Sequence, residues 1–144
     1  MIHLLHELPE AAARRTPDAE AVASKGSRLC YGDLNGRIRD AAHGFLGQGL
    51  AARERVAIYL NKTVENVCAM FGTAMAGGVF VPVNPVLKAP QVAHILRDSG
   101  ARILVTSPDR LQALQPILSE CPDLALVILT GTESAETGIS SQRA

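Results

Sequence analysis

Few side chains in this sequence are suited to chemistry, and their spacing brings few of them together. The histidines are His3, His6, His43 and His94. His3 and His6 share a helical face, which suits a metal, but no third ligand is arranged beside them and a zinc centre takes three or four. His94 lies between Ala93 and Ile95 with no nucleophile near it, so it reads as a half-exposed helix residue and not as a base. Cys30, Cys68 and Cys121 are far apart, sit beside apolar or small residues, and lack metal-ligand spacing. They read as small hydrophobes of a reducing compartment.

Lys62, Thr63 and Glu65 follow one apolar run, and Asn84 and Lys88 follow the next. Ligands of open α/β sheets bind at such strand ends. Thr63 serves equally as a helix cap and Asn84-Pro85 as a turn, and we favour that structural use. No side chain is assigned a catalytic, cofactor-binding or metal role. Gly44, Gly47 and Gly49, like Gly77 and Gly78, come after helical runs. A phosphate cradle needs its glycines between a strand and a helix start, so these are helix stops and packing sites.

The elements that must position these residues are legible from apolar spacing. Leu4, Leu5, Leu8 and Ala12 predict an amphipathic helix that tolerates Pro9 in its first turn and ends near Arg14, Arg15 and Thr16-Pro17-Asp18. Ala21-Val22-Ala23 and Arg28 to Tyr31 predict a ribbon turning at Ser24-Lys25-Gly26-Ser27. Leu34, Ile38, Ala41, Ala42, Phe45 and Leu46 predict one inward helical face. Val56 to Leu60, Val79 to Val83, Ile103 to Val105 and Leu126 to Leu129 are continuous apolar runs, the pattern of strands buried on both faces. Between them lie helices marked by Val64, Val67, Cys68, Phe71 and Met75, by Val92, Ile95 and Leu96, and by Leu111, Leu114, Ile117 and Leu118. Ser107-Pro108-Asp109 is a helix start. The fold class predicted is α/β, a mostly parallel doubly wound sheet flanked by helices, with a small antiparallel ribbon near the N-terminus. Residues 1–130 form one unit; residues 131–144 are small and polar and predict a disordered tail.

Composition narrows the function. Of 144 residues, 47% are apolar, enough for a sizeable core. Fourteen basic and fourteen acidic residues cancel, aromatics are 3% and Trp is absent, which argues against a nucleic-acid partner. No basic leader or membrane-length apolar run is visible, and the expectation is a cytoplasmic protein without a membrane span.

Two stretches carry a family resemblance. Arg28-Leu29-Cys30-Tyr31-Gly32-Asp33-Leu34 resembles the (S/T)-Y-x-E-L motif of adenylate-forming enzymes, namely acyl-CoA synthetases, luciferases and peptide-synthetase adenylation proteins. Residues 74–85 resemble their second motif, L-K-A-G-x-x-Y/F-V-P-(I/V)-(D/N)-P, with Met75 in place of Lys as Cys30 replaces Ser/Thr. The resemblance spans about residues 2–129. Val79 to Lys88 with Gln91 to Arg102 looks most like the AMP-forming acyl-CoA ligases found with bacterial exosortase and exopolysaccharide systems.

The resemblance implies the N-terminal subdomain of an AMP-binding domain. The complete enzyme would use ATP, Mg²⁺ and CoA to turn a carboxylic acid into an acyl-adenylate and then a thioester, with the remainder of the domain as partner. The family's Ser/Thr/Gly-rich phosphate loop, closing in Pro-Lys-Gly, is not found. Leu129 to Ser134 has a Thr/Gly flavour, but it carries Glu133 and no lysine, which repels a triphosphate. No cofactor is therefore expected on this chain, and the chain alone is expected to be inactive. The alternative is a truncated, non-catalytic homologue, an interaction module with a self-associating sheet edge. The DNA following the codon for Ala144 discriminates between the two.

Overall fold

The structure is a computed structural model; it describes residues 2–131 and the backbone of Ser140–Arg143. The chain divides into two units. The first holds residues 1–53 and 62–78, the second residues 54–61 and 79–144.

The first unit begins with α1 (Glu7–Arg15), with Pro9 in its first turn. There the missing N–H costs nothing, because the first-turn donors lack helical partners. Leu4, Leu5 and Leu8 were expected on a buried face but stand 44–55% exposed. The helix starts later than their spacing suggests: Glu7 accepts the backbone N–H groups of His3 and Leu4 and leaves Leu4 and Leu5 ahead of it. β1 (Glu20–Ser24) and β2 (Ser27–Cys30) form the expected antiparallel ribbon. Its two turn residues, Lys25 and Gly26, both take positive φ (44° and 83°), which matches the twist of the strands.

α2 (Tyr31–Gly47) and α3 (Val64–Met75) complete this unit. Leu29, Leu34, Ile38, Val64 and Cys68 form its core, with Phe71 and Met75 packed against them. Leu46, expected to face inward, is 51% exposed. The helix ends one residue later, and Gly49 at φ 82° turns the chain so that Leu50 donates its N–H to the Phe45 carbonyl and is buried instead.

The second unit is a sheet of β3 (Arg55–Tyr59), β4 (Val79–Pro82), β5 (Ala101–Thr106), β6 (Leu126–Leu129) and β7 (Ser140–Arg143), in the order β4-β3-β5-β6-β7. The first four run parallel. α4 (Ala89–Ser99) and α5 (Pro108–Leu118) flank the sheet, burying Val92, Leu96 and Leu114 against Ala57, Leu104 and Val127. β4 was expected to be buried on both faces, but it is an edge strand with Val79 47% exposed. Its Pro82 suits an edge, where a missing N–H breaks no ladder.

Ser140–Arg143 departs from the expected unstructured tail by pairing antiparallel with β6. A strand edge offers backbone donors and acceptors that a polar segment can satisfy as well as an apolar one. The rest of the expected tail, 132–139 and Ala144, lies outside the described residues. Among the described residues no helix is long and apolar enough to cross a membrane.

Candidate functional site

The strand order reverses between β3 and β5, so their outgoing loops diverge from the carboxyl end of the sheet, where open α/β folds leave a crevice. Here polar groups from three strand ends meet, side chains after β3 and β5 and backbone carbonyls after β4. Tyr59 ends β3, Asn61 follows it, Pro85 and Leu87 lie in the loop after β4, and Arg110 sits in the first turn of α5. The Arg110 guanidinium stacks over the Tyr59 ring, 4.4 Å from its centroid. It donates to the Pro85 carbonyl at 2.9 Å and to Asn61 Oδ1 at 2.8 Å. The Tyr59 hydroxyl donates to the Leu87 carbonyl at 2.6 Å. Thr106, fully buried at the end of β5, donates to the Tyr59 carbonyl at 2.9 Å.

Each of these bonds has a local cause. Tyr59 occupies a buried position with a ring that packs and a hydroxyl that must find an acceptor. Arg presents a planar fork that stacks on an aromatic face while reaching two acceptors. Asn84 Oδ1 accepts the Val86 N–H at 3.1 Å, forming the turn that its position before Pro85 suggested. The Lys88 N–H donates to Gln91 Oε1 at 2.9 Å as α4 begins. The 84–88 loop is thus fixed at its backbone, while Val86 at its tip is 72% exposed.

Several of the other residues singled out in the sequence do structural work. Thr63 Oγ accepts the Asn66 N–H at 3.4 Å as the cap of α3, with Glu65 in that helix's first turn. Lys62, Thr63 and Glu65 belong to the first unit. Cys30 caps α2, its sulfur accepting the Asp33 N–H at 3.5 Å. Cys68 and Cys121 are buried, and burial raises both thiols, that of Cys68 to about 11. His3, His43 and His94 are exposed, and His6 precedes α1. Asp109 accepts from the Ser107 hydroxyl, the main reason its carboxyl is held below the usual range.

Sequence reasoning did not single out Tyr59, Asn61 or Arg110. One signal was available for Arg110: a cation in a helix's first turn opposes the helix dipole and needs another reason to be there.

A family model described as AMP-binding enzyme matches residues 9–143. The chain belongs to the AMP-binding enzyme family. The N-(5-amino-5-carboxypentanoyl)-L-cysteinyl-D-valine synthase of Streptomyces clavuligerus is 38% identical over 126 residues, 85% of this chain and 16% of that protein. Tyrocidine synthase 3 of Brevibacillus parabrevis is 32% identical over 119 residues, 83% of this chain and 2% of that protein. The fold is shared with the anthranilate CoA ligase AuaEII in complex with anthranoyl-AMP, at a TM-score of 0.87 and 22% identity, over 96% of this chain and 27% of that one. The chain thus spans 16%, 2% and 27% of these three proteins.

The family name implies a nucleotide, and an adenylating enzyme binds it as a magnesium complex, which requires phosphate-cradling N–H groups, carboxylates and a lysine. The donors present are of another kind. Among the described residues no three His, Cys, Asp or Glu side chains gather to hold a metal ion. The Arg110 guanidinium at the switch point is committed to a carbonyl and an amide oxygen. The contacts of Arg110 with Pro85, Asn61 and Tyr59 form a brace across the strand ends.

Proposed function

We propose that this chain is the N-terminal scaffolding part of an adenylate-forming ligase. In the complete protein a carboxylic acid attacks the α-phosphate of ATP to give an acyl-adenylate and pyrophosphate, and a thiol then displaces AMP to leave a thioester. The AMP-binding match over residues 9–143 carries this reading. Taken alone, the 144-residue chain is inactive, because its sequence holds no Ser/Thr/Gly-rich loop closing in Pro-Lys-Gly.

The thiol in this reading is coenzyme A, in line with the resemblance of residues 79–102 to acyl-CoA ligases. The narrower placement among exosortase-associated ligases rests on that same segment. A second reading, a carrier-protein thiol, is favoured by the peptide synthetases among the relatives.

The test is exchange of labelled pyrophosphate into ATP, dependent on added carboxylic acid. The complete reading frame containing this chain exchanges and the 144-residue chain does not. Exchange by the short chain overturns the scaffold assignment. No exchange by the complete protein with aliphatic, aromatic and amino acids overturns the ligase assignment. Thioester formation with CoA, set against a pantetheinylated carrier protein, separates the two thiols.

A further inference from the structure

We propose that Arg110 is a positioning residue that sets the 84–88 loop as a wall for the carboxylic acid substrate; the inference rests on the ligase reading above. The loop leaves the carboxyl end of β4, beside the reversal of strand order where open sheets place their ligands. Its backbone is held from both sides, with the Pro85 carbonyl bound by Arg110 and the Leu87 carbonyl by Tyr59. Between these fixed points Val86 projects into solvent at 72% exposure. Lys88, exposed, ends the loop and forms no ion pair among the described residues. An apolar tip and a cation on one rigid loop complement a molecule with an apolar body and a carboxylate. The nearby carboxylate of Asp109 is engaged by Ser107.

Arg110 touches loop backbone and acts through it. A guanidinium bonded to two neutral oxygens and stacked on a ring has a defined place, so losing it removes the contacts to the Pro85 carbonyl, Asn61 Oδ1 and the Tyr59 face together. Displacing a substrate-binding wall by an ångström costs roughly a hundredfold at most, and the loss falls on the substrate that the wall touches.

The experiment is pyrophosphate exchange by the complete protein with Arg110→Gln, Tyr59→Phe and Lys88→Gln. Arg97→Gln is the control, since it removes a surface bridge to Glu120 in the same unit. Tyr59→Phe keeps the ring and loses only the bond to Leu87, so it tests the idea even if Arg110→Gln misfolds. The expected result is a KM for the acid raised about ten- to a hundredfold in the Arg110 variant and less in the other two. The KM for ATP and kcat stay within about twofold of wild type. A purely structural role lowers kcat with all substrates alike, and that outcome, or an unchanged acid KM beside an active wild type, overturns the inference. An inactive wild type overturns the ligase reading and this inference with it.

Discussion

Gly72→Ala tests the packing of the first unit at its tightest point. Gly72 lies on α3 facing α2, and a Cβ there would meet Ala41 Cβ at 2.7 Å, the Ala42 nitrogen at 3.2 Å and the Ile38 carbonyl oxygen at 3.2 Å. Two of these are backbone atoms and the third is a methyl on a helix, so none can rotate aside. The helices must separate, at about 1–3 kcal/mol for overpacking. Replacing a helical glycine with alanine returns about 1 kcal/mol of propensity. The net expectation is a loss of up to about 2 kcal/mol. Gly36 supplies the comparison: it lies within α2, and a Cβ there meets nothing within 4 Å. Gly36→Ala therefore gains about 0.5–1 kcal/mol. Thermal unfolding followed by circular dichroism reads both, at about 2–4 °C per kcal/mol for a protein of this size. Gly36→Ala melts above the parent and Gly72→Ala below it. A Gly72→Ala midpoint at or above that of Gly36→Ala refutes the close approach of α2 and α3.

Cys30→Ser replaces a long sulfur cap of α2 with a hydroxyl and stabilises by about 0.5–1 kcal/mol; a lower melting midpoint contradicts the capping role. Gly100→Ala places a methyl 2.8 Å from the Arg55 guanidinium, which holds the Ser99 carbonyl at 2.6 Å, in a backbone of φ 59°. It destabilises by about 1–3 kcal/mol, and by less when Arg55 is already alanine, as a double-mutant cycle measures. Burial raises the Cys68 thiol from 9.0 to about 11, with Glu65 adding and Arg37 opposing. The fold thus favours the neutral thiol. That stability is complete below about pH 9 and is lost as pH rises through about 11. Alkylation at pH 8 followed by mass spectrometry finds Cys30 modified before Cys68, and equal rates refute the buried thiol.

Much of the fold is readable from local rules. A cap is a relation between residues three apart, so Thr63 and the start of α3 were visible in sequence. A tight hairpin needs two residues that accept positive φ, and Lys25-Gly26 sits between two extended runs. Continuous apolar runs located β3, β5 and β6, because a central parallel strand is covered on both faces. The same rule misjudged β4: its run is equally apolar, but among the described residues it pairs with β3 alone, at the edge of the sheet. Leu46 and Leu50 exchanged roles for a similar reason. Periodicity extends a face to the last helical residue, and only the turn at Gly49 decides which leucine is carried inward.

By itself, the sequence determined the α/β alternation, the antiparallel ribbon, most helix boundaries and the family, since all of these are written in neighbouring residues. The tertiary structure decided which strand is an edge and brought Tyr59, Asn61, Pro85, Leu87 and Arg110 together at the switch point. Those contacts depend on the lateral order of the strands. That order is set by crossovers whose geometry no local spacing encodes.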